Sequence, residues 1–285
     1  MFGNLFGPKK PNTPKPPPAV KLRRVNLVKR FTIIHEIGQG SMSHVYKAID
    51  NEVGRTVCLK VQDCDKTTAA KARSTQVGRM SEGEIGQRII HPHVVKTHEY
   101  GVSPKGEYFL VMEFIDGFSL QHTRQTRVLD LSTKIELLAQ SAEALAAVHA
   151  AGFIHHDFGP KNLLVTHDDW VKLIDFGLAV PNTPAFQRPG NRTGTLQYMA
   201  PELIRRESTD ERLDIFSWGV TAFEFFTNRL PYDASASDPM AQMRQRINIE
   251  PIGLDQIAPH LPAELTALIN KTLAKLKKDR WDSMA

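Results

Sequence analysis

The sequence predicts an α+β protein in which the strands come first and the helices follow. Three observations carry that expectation. Runs that read as strands cluster early, at residues 31–37, 44–49, 57–60 and 108–114. A long amphipathic helix, roughly 133–151, opens the second part, with Ile135, Leu138, Ala142, Leu145 and His149 on one face. After it comes His155-His156-Asp157-Phe158-Gly159-Pro160-Lys161-Asn162, followed by Asp175-Phe176-Gly177, an order of polar residues with a chemical meaning developed below.

The first two strands are joined by Gly38-Gln39-Gly40-Ser41-Met42-Ser43. A dinucleotide-binding turn would lead from such glycines straight into a helix. Here β-branched and aromatic residues follow, so the glycines sit at the tip of a hairpin, where backbone amides can approach phosphate oxygens. Lys60, on the third strand, lies 22 residues beyond Gly38 and suits a lysine reaching the α- and β-phosphates of a nucleotide. The long helix is expected to begin at a capping box of Thr133 and Glu136 and to stop at Gly152. Farther on, Leu163-Leu164-Val165 reads as a short strand, 166–169 as a turn and 171–174 as the returning strand. That hairpin brings Asn162 and Asp175 to the same edge. The set suits phosphoryl transfer from a Mg-nucleotide, with Asp157 accepting the proton of an attacking hydroxyl and Asn162 and Asp175 holding the metal ions.

Composition agrees with a globular enzyme. With 285 residues, 41% apolar and 24% charged, the chain can bury a sizeable core. The two cysteines, Cys58 and Cys64, make no disulfide framework, so a reducing compartment, the cytoplasm, is expected. No apolar run is long enough for a membrane span, and the N-terminus lacks the apolar core of a secretory signal. The net charge is +5, but the first thirty residues carry eight cations and no acid, which leaves −3 for the remainder. The basicity therefore belongs to a tail and not to a nucleic-acid-binding face. Its prolines, among them Pro16-Pro17-Pro18, predict a disordered or polyproline II segment over residues 1–30: a solubilising leader, or a ligand for a proline-binding or anionic partner.

These motifs, together with Val111-Met112-Glu113-Phe114-Ile115-Asp116-Gly117, resemble the eukaryotic-type (Hanks-type) protein kinases, above all the bacterial Ser/Thr kinases, from about Phe31 to the C-terminus. The resemblance implies a small β-rich lobe with one main helix, residues 31–112, over a larger, mostly helical lobe, residues 113–285, with ATP and Mg²⁺ (Mn²⁺ as an alternative) in the cleft. The chain ends at Ala285, barely into an expected final helix, so that helix is cut short or a longer parent continues. In the cleft, Ile37, the Gly38–Ser43 tip, His44 and Val45 would cover the nucleotide. Lys60 would pair with Glu82, ten residues before Pro92, on a helix that Gly83 and Gly86 weaken. Met112 would back the pocket, the backbone of Glu113 and Ile115 would hold adenine, Ser119 would lie near the ribose, and Leu164 would close the floor. Cys58 stands over the adenine, as a packing group or a thiol target. His155 would pack on Phe176, Asp214 would tie down the backbone before Asp157, and Glu202 of Ala200-Pro201-Glu202 would pair with Arg280.

Three departures from the family pattern bear on activity. His156 replaces the Arg that grips a phosphorylated loop, Gly159 replaces a Lys, and Ser43 replaces a Gly. A cation does stand two residues after Gly159, at Lys161, where tyrosine-directed relatives often carry Arg. Thr195, by contrast, favours Ser/Thr acceptors in protein substrates. Lys60, Asp157, Asn162 and Asp175 remain, so an active Ser/Thr kinase is expected. A nucleotide-binding pseudokinase scaffold and a small-molecule phosphotransferase on the same fold are the alternatives. Deleting residues 1–20 is expected to leave the melting temperature and the peptide-phosphorylation rate unchanged; a fall of more than about 4 °C, roughly 1 kcal/mol, would mean that the tail packs on the domain.

Overall fold

The computed structural model describes residues 22–39, 43–62, 80–190, 193–232 and 238–285. The expectations for residues 1–21, for Gly40, Ser41 and Met42 at the hairpin tip, and for Cys64 lie outside the described residues. The small lobe runs β1 (Arg23–Arg24), α1 (Leu27–Arg30), β2 (Phe31–Gln39), β3 (Ser43–Asp50), β4 (Arg55–Gln62), α2 (Glu82–Arg88), β5 (Thr97–Val102) and β6 (Tyr108–Glu113). Its strands form one sheet in the order β1-β5-β6-β4-β3-β2. All neighbours are antiparallel except β1 and β5. Val25, Phe31, Ala48, Val57, Leu59, Phe109 and Val111 fill the core of this lobe.

The expected tail ends earlier than residue 30. Arg23 and Arg24 pair in parallel with Gly101 and Val102. Gly101 permits this because a Cβ there would lie 2.4 Å from the Arg23 carbonyl oxygen. Val25 is buried, and the buried Arg30 guanidinium makes two hydrogen bonds to Asp50, at 3.0 and 2.8 Å, and an ion pair with Glu99 at 2.8 Å. Arg30 is thus a neutralised core residue, and removing one member of such a pair costs about 3–5 kcal/mol.

Helix α2 is docked more tightly than its glycines suggest. Ser81 and Glu84 form a capping box. A Cβ on Gly83 would lie 2.4 Å from Tyr100 Cβ, and one on Gly86 would lie 2.3 Å from Thr97 Oγ1. The two glycines are the face that lets α2 lie directly on β5. Their low helix propensity is the local cost of that contact.

The large lobe contains β7 (Gly117–Ser119), α3 (Leu120–Thr126), α4 (Leu131–Ala150), β8 (Phe153–Ile154), β9 (Leu163–Thr166), β10 (Val171–Leu173), β11 (Val180–Pro181), α5 (Pro201–Arg205), α6 (Arg212–Thr227), α7 (Pro239–Asn248), α8 (Leu254–Ile257) and α9 (Ala263–Thr272). Helix α4 starts two residues before the expected Thr133. Its cap is Asp130, whose carboxylate accepts from Thr133 N at 2.7 Å, so Thr133 lies inside the first turn as a donor and is not itself the N-cap. The buried face of α4 is Leu137, Leu138, Gln140, Ser141, Ala144, Leu145 and Val148, while Ile135 is exposed. Helix α6 is buried on nearly every side, as a helix that is apolar all round must be. Arg280 and Glu202 form a buried bidentate pair at 2.7 and 2.8 Å, joining the end of the chain to the start of α5.

Gly83→Ala is expected to lower the melting temperature by several degrees. Its propensity gain of about 1 kcal/mol is smaller than the roughly 1–3 kcal/mol of overpacking against Tyr100. Differential scanning calorimetry checks this; an unchanged or raised midpoint would show that α2 shifts off β5 at little cost.

Candidate active site

Three elements converge where the two lobes meet. β4 carries Lys60, opposite Val45 on β3 and Leu110 on β6. Helix α2 brings Glu82 to it, and the stretch after β10 brings Asp175. Lys60 Nζ donates to Glu82 Oε1 at 2.7 Å and to Asp175 Oδ1 at 3.0 Å. Burial opposes the charge on Lys60, yet the two carboxylates outweigh it and raise its pKa. Burial raises Glu82 as well, with the repulsion of Asp175 adding and Lys60 opposing. Burial pushes Asp175 up, but Lys60 and the Gly177 amide overcome it and hold this carboxyl below the ordinary range. Lys60 is therefore a fixed cation between two acids.

Hairpin β9–β10 forms with Leu163 opposite Leu173 and Val165 opposite Val171. One step beyond that register, Ile174 N donates to the Asn162 carbonyl at 2.9 Å, which sets Asn162 and Asp175 at one edge. Gln140 of α4 supports the hairpin: its Oε1 accepts from Val171 N at 2.7 Å and its Nε2 donates to Asp169 O at 3.1 Å. Asn162 Nδ2 donates to the Asp157 carbonyl at 2.8 Å and lies 3.3 Å from Asp157 Oδ2. On the other carboxylate oxygen, Thr195 donates twice to Asp157 Oδ1, from its amide at 2.8 Å and its hydroxyl at 2.9 Å. Gly194 makes this approach with φ +105°, and a Cβ there would meet the His156 carbonyl at 2.5 Å.

The stretch before Asp157 is held from below. Asp214, at the start of α6 and fully buried, accepts from His155 N at 2.7 Å and His156 N at 2.9 Å. His149 Nε2 lies 3.0 Å from the same carboxylate. Burial raises Asp214, but the hydrogen bond and charge of His149, with His155 and His156, outweigh it and lower its pKa. His156 and Asp175 both adopt left-handed backbone, φ 67° and 66°, which His and Asp enter more readily than most residues. The His155 ring meets Phe176 edge-on at 5.4 Å. His149 was not legible as a member of this site. Its signal was its place on the α4 face that also carries Leu138 and Leu145.

The nucleotide side is less crowded. Gly38 pairs with Val45 and Gln39 with His44, so β2 and β3 do form a hairpin, and Ile37 is exposed on it. The His44 ring is bonded to Glu36 at 2.8 Å. Met112 is buried opposite Cys58, and Leu164 is half-buried opposite Ser119. Ser119 caps α3, its hydroxyl accepting from His122 N at 3.2 Å, so that oxygen serves the helix first. Glu113 donates its amide to the Lys96 carbonyl at 3.0 Å, and its carboxylate accepts from Lys172 Nζ at 2.7 Å. Among the described residues, the backbone of Ile115 makes no hydrogen bond in the loop leading to β7.

Cys58 packs against the main core, and burial lifts its thiol to about 11. Modification of a Cys64→Ser variant by a thiol reagent is therefore expected to be slow at pH 8, where only about one thiol in a thousand is ionised. The rate should climb steadily toward pH 10. Rapid labelling at pH 7 would show that Cys58 is reactive.

Comparison with known proteins agrees with this geometry. The sequence profile described as the protein kinase domain matches residues 31–285. The chain is 34% identical over 210 residues to the probable serine/threonine-protein kinase pknA2 of Bifidobacterium longum, covering 72% of this chain and 27% of that protein. It is 32% identical over 257 residues to serine/threonine-protein kinase PknD of Mycobacterium tuberculosis, covering 89% and 38%, and 30% identical over 261 residues to the probable serine/threonine-protein kinase PknB of Lactococcus lactis, covering 88% and 40%. The chain thus spans between about a quarter and two-fifths of the length of these relatives. No helix among the described residues is long and apolar enough to cross a membrane. With its two-lobed α+β architecture, its Lys60–Glu82 pair and a match running from Phe31 to its last residue, the chain belongs to the protein kinase domain family.

Proposed function

We propose that this chain is an ATP-dependent protein kinase that transfers the γ-phosphoryl group of Mg-ATP to Ser or Thr hydroxyls of protein substrates, with residues 31–285 as the catalytic unit and the lobes meeting at Met112 and Glu113. The observation that carries the proposal is Asp157: one of its oxygens takes both donors of Thr195, and the other faces Asn162. The Thr195 hydroxyl marks a position from which an acceptor hydroxyl can donate to the same carboxylate. Asp157 would orient that hydroxyl and take its proton, and Thr195 would help to aim it.

Asn162 and Asp175 offer one amide and one carboxylate oxygen from a single edge. That sparse oxygen set suits Mg²⁺, which keeps several waters, and Mn²⁺ as an alternative. Bound there, the ion would neutralise charge on the phosphates. Lys60, already charged and held by Glu82, would reach the α- and β-phosphates. The β2–β3 hairpin would lie over them, with Ile37, Val45 and Leu164 against the base and the Ile115 amide in position to bind it.

Incubating the purified chain with Mg-[γ-³²P]ATP and a generic protein substrate, followed by phosphoamino-acid analysis, tests this directly. Labelled serine or threonine is expected. Asp157→Asn should lower the rate by about 10²–10⁴-fold while ATP binding stays nearly unchanged, and a rate within threefold of the original would sink the assignment. Gly159→Lys should raise the rate, because a preorganised cation near the transferring group lowers the barrier. The backbone admits a Cβ there: its nearest neighbours would be atoms of the Tyr198 ring, at 3.4 Å and beyond.

A further inference from the structure

Arg246, on α7, is a buried cation, 2% exposed, that forms no ion pair among the described residues. Its guanidinium sits over the Tyr232 ring, 5.1 Å from the centroid. Its Nε and the Tyr232 hydroxyl are both buried and have no hydrogen-bond partner among the described residues. Its guanidinium also makes a hydrogen bond from Nη2 to the Gln197 carbonyl. Burial lowers its pKa, with the two neighbouring tyrosines, Tyr232 and Tyr198, opposing weakly.

Such a group has no structural rationale. A buried arginine with one carbonyl partner and an orphaned Nε destabilises the fold relative to an apolar side chain of similar size. Elsewhere on the same helix, Met243 and Ile247 pack on the buried cluster of Met199, Leu203 and Ile204. Among the described residues, the main-chain group that Arg246 holds belongs to the turn Leu196–Tyr198. That turn starts at Thr195, whose amide and hydroxyl are fixed on Asp157. On its far side the Tyr198 hydroxyl donates to Glu224 Oε2 at 2.6 Å, and Glu224 is paired with Arg124 at 3.0 Å. The acceptor loop is therefore gripped at three successive points: Thr195 by Asp157, Gln197 by Arg246 and Tyr198 by Glu224.

We propose that Arg246 is a positioning residue for phosphoryl acceptance: by holding the Gln197 carbonyl it fixes the Thr195–Met199 loop in the register that presents a protein acceptor to Asp157. The inference rests on the kinase reading of the site. It separates the acceptor from the nucleotide, because α7 touches the loop and not the Lys60–Asp175 end.

The test compares the unsubstituted chain with Arg246→Met and Arg246→Lys. For Arg246→Met the melting temperature is expected to stay level or rise, since an unpaired buried charge is removed. In steady-state assays its kcat/KM for a peptide acceptor should fall by about ten- to a hundredfold, with the KM for ATP unchanged. Arg246→Lys, which keeps a cation able to bond the carbonyl, should recover part of the loss. Amide hydrogen exchange across residues 195–199 gives a readout independent of activity, and protection there should drop in Arg246→Met. A lower melting temperature with acceptor kinetics and loop protection unchanged would overturn the inference and make Arg246 a packing residue. Equal losses toward ATP and acceptor would overturn it too. If the unsubstituted chain transfers no phosphate, the kinase reading fails, and the exchange and melting data still decide whether Arg246 holds the loop.

Discussion

Asp214 is a carboxylate with no exposed surface, set at the start of the most deeply buried helix of the molecule, and the rest of the site is built on it. A lone buried charge would be prohibitively costly, but this one accepts from two successive main-chain amides and meets an imidazole nitrogen. Each bond has a direction. The amides of His155 and His156 must point down into α6, and that forces the backbone into the left-handed turn at His156. The chain emerges from the turn with Asp157 facing the cleft. The Asp157 carboxylate then orders its own surroundings, taking Thr195 on one oxygen and Asn162 near the other. The strain of one residue in an unusual conformation is sustained because the carboxylate beneath over-determines it.

The small lobe follows another logic, that of contact distance. Lys60 is useful only if α2 comes close enough for Glu82 to reach it, and α2 comes that close only because Gly83 and Gly86 carry no side chains toward β5. The shared cation then ties α2 to Asp175, so the small-lobe helix and the large-lobe turn are coupled through one ammonium group. Displacing either acid would leave a buried lysine partly uncompensated, which makes the assembled arrangement cooperative.

Short-range features were legible in the sequence and long-range ones were not. Asn162 and Asp175 could be brought together on paper because a hairpin with a four-residue turn leaves little freedom. Glu82 could be found by its spacing, and the Glu202–Arg280 pair followed from the family resemblance. By contrast, Arg23 and Arg24 read as part of a basic leader, because their partner strand lies more than seventy residues away and no local pattern announces a parallel edge pairing. Arg30 read as one more tail cation until Asp50 and Glu99 were placed around it. Gly83 and Gly86 read as helix weakeners because intrinsic propensity is local, whereas their value is tertiary. His149 and Arg246 stayed hidden for the same reason: a histidine or arginine on a helix face is ordinarily a surface group, and only packing shows where it ends.

The anchoring of Val25 and Arg30 also bears on the segment that precedes them. The chain enters the small lobe at a pinned point on the sheet edge away from β2. Residues 1–21 cannot extend farther than about 75 Å from that point at ~3.6 Å per residue. Anything bound to them stays inside a sphere of that radius around the lobe.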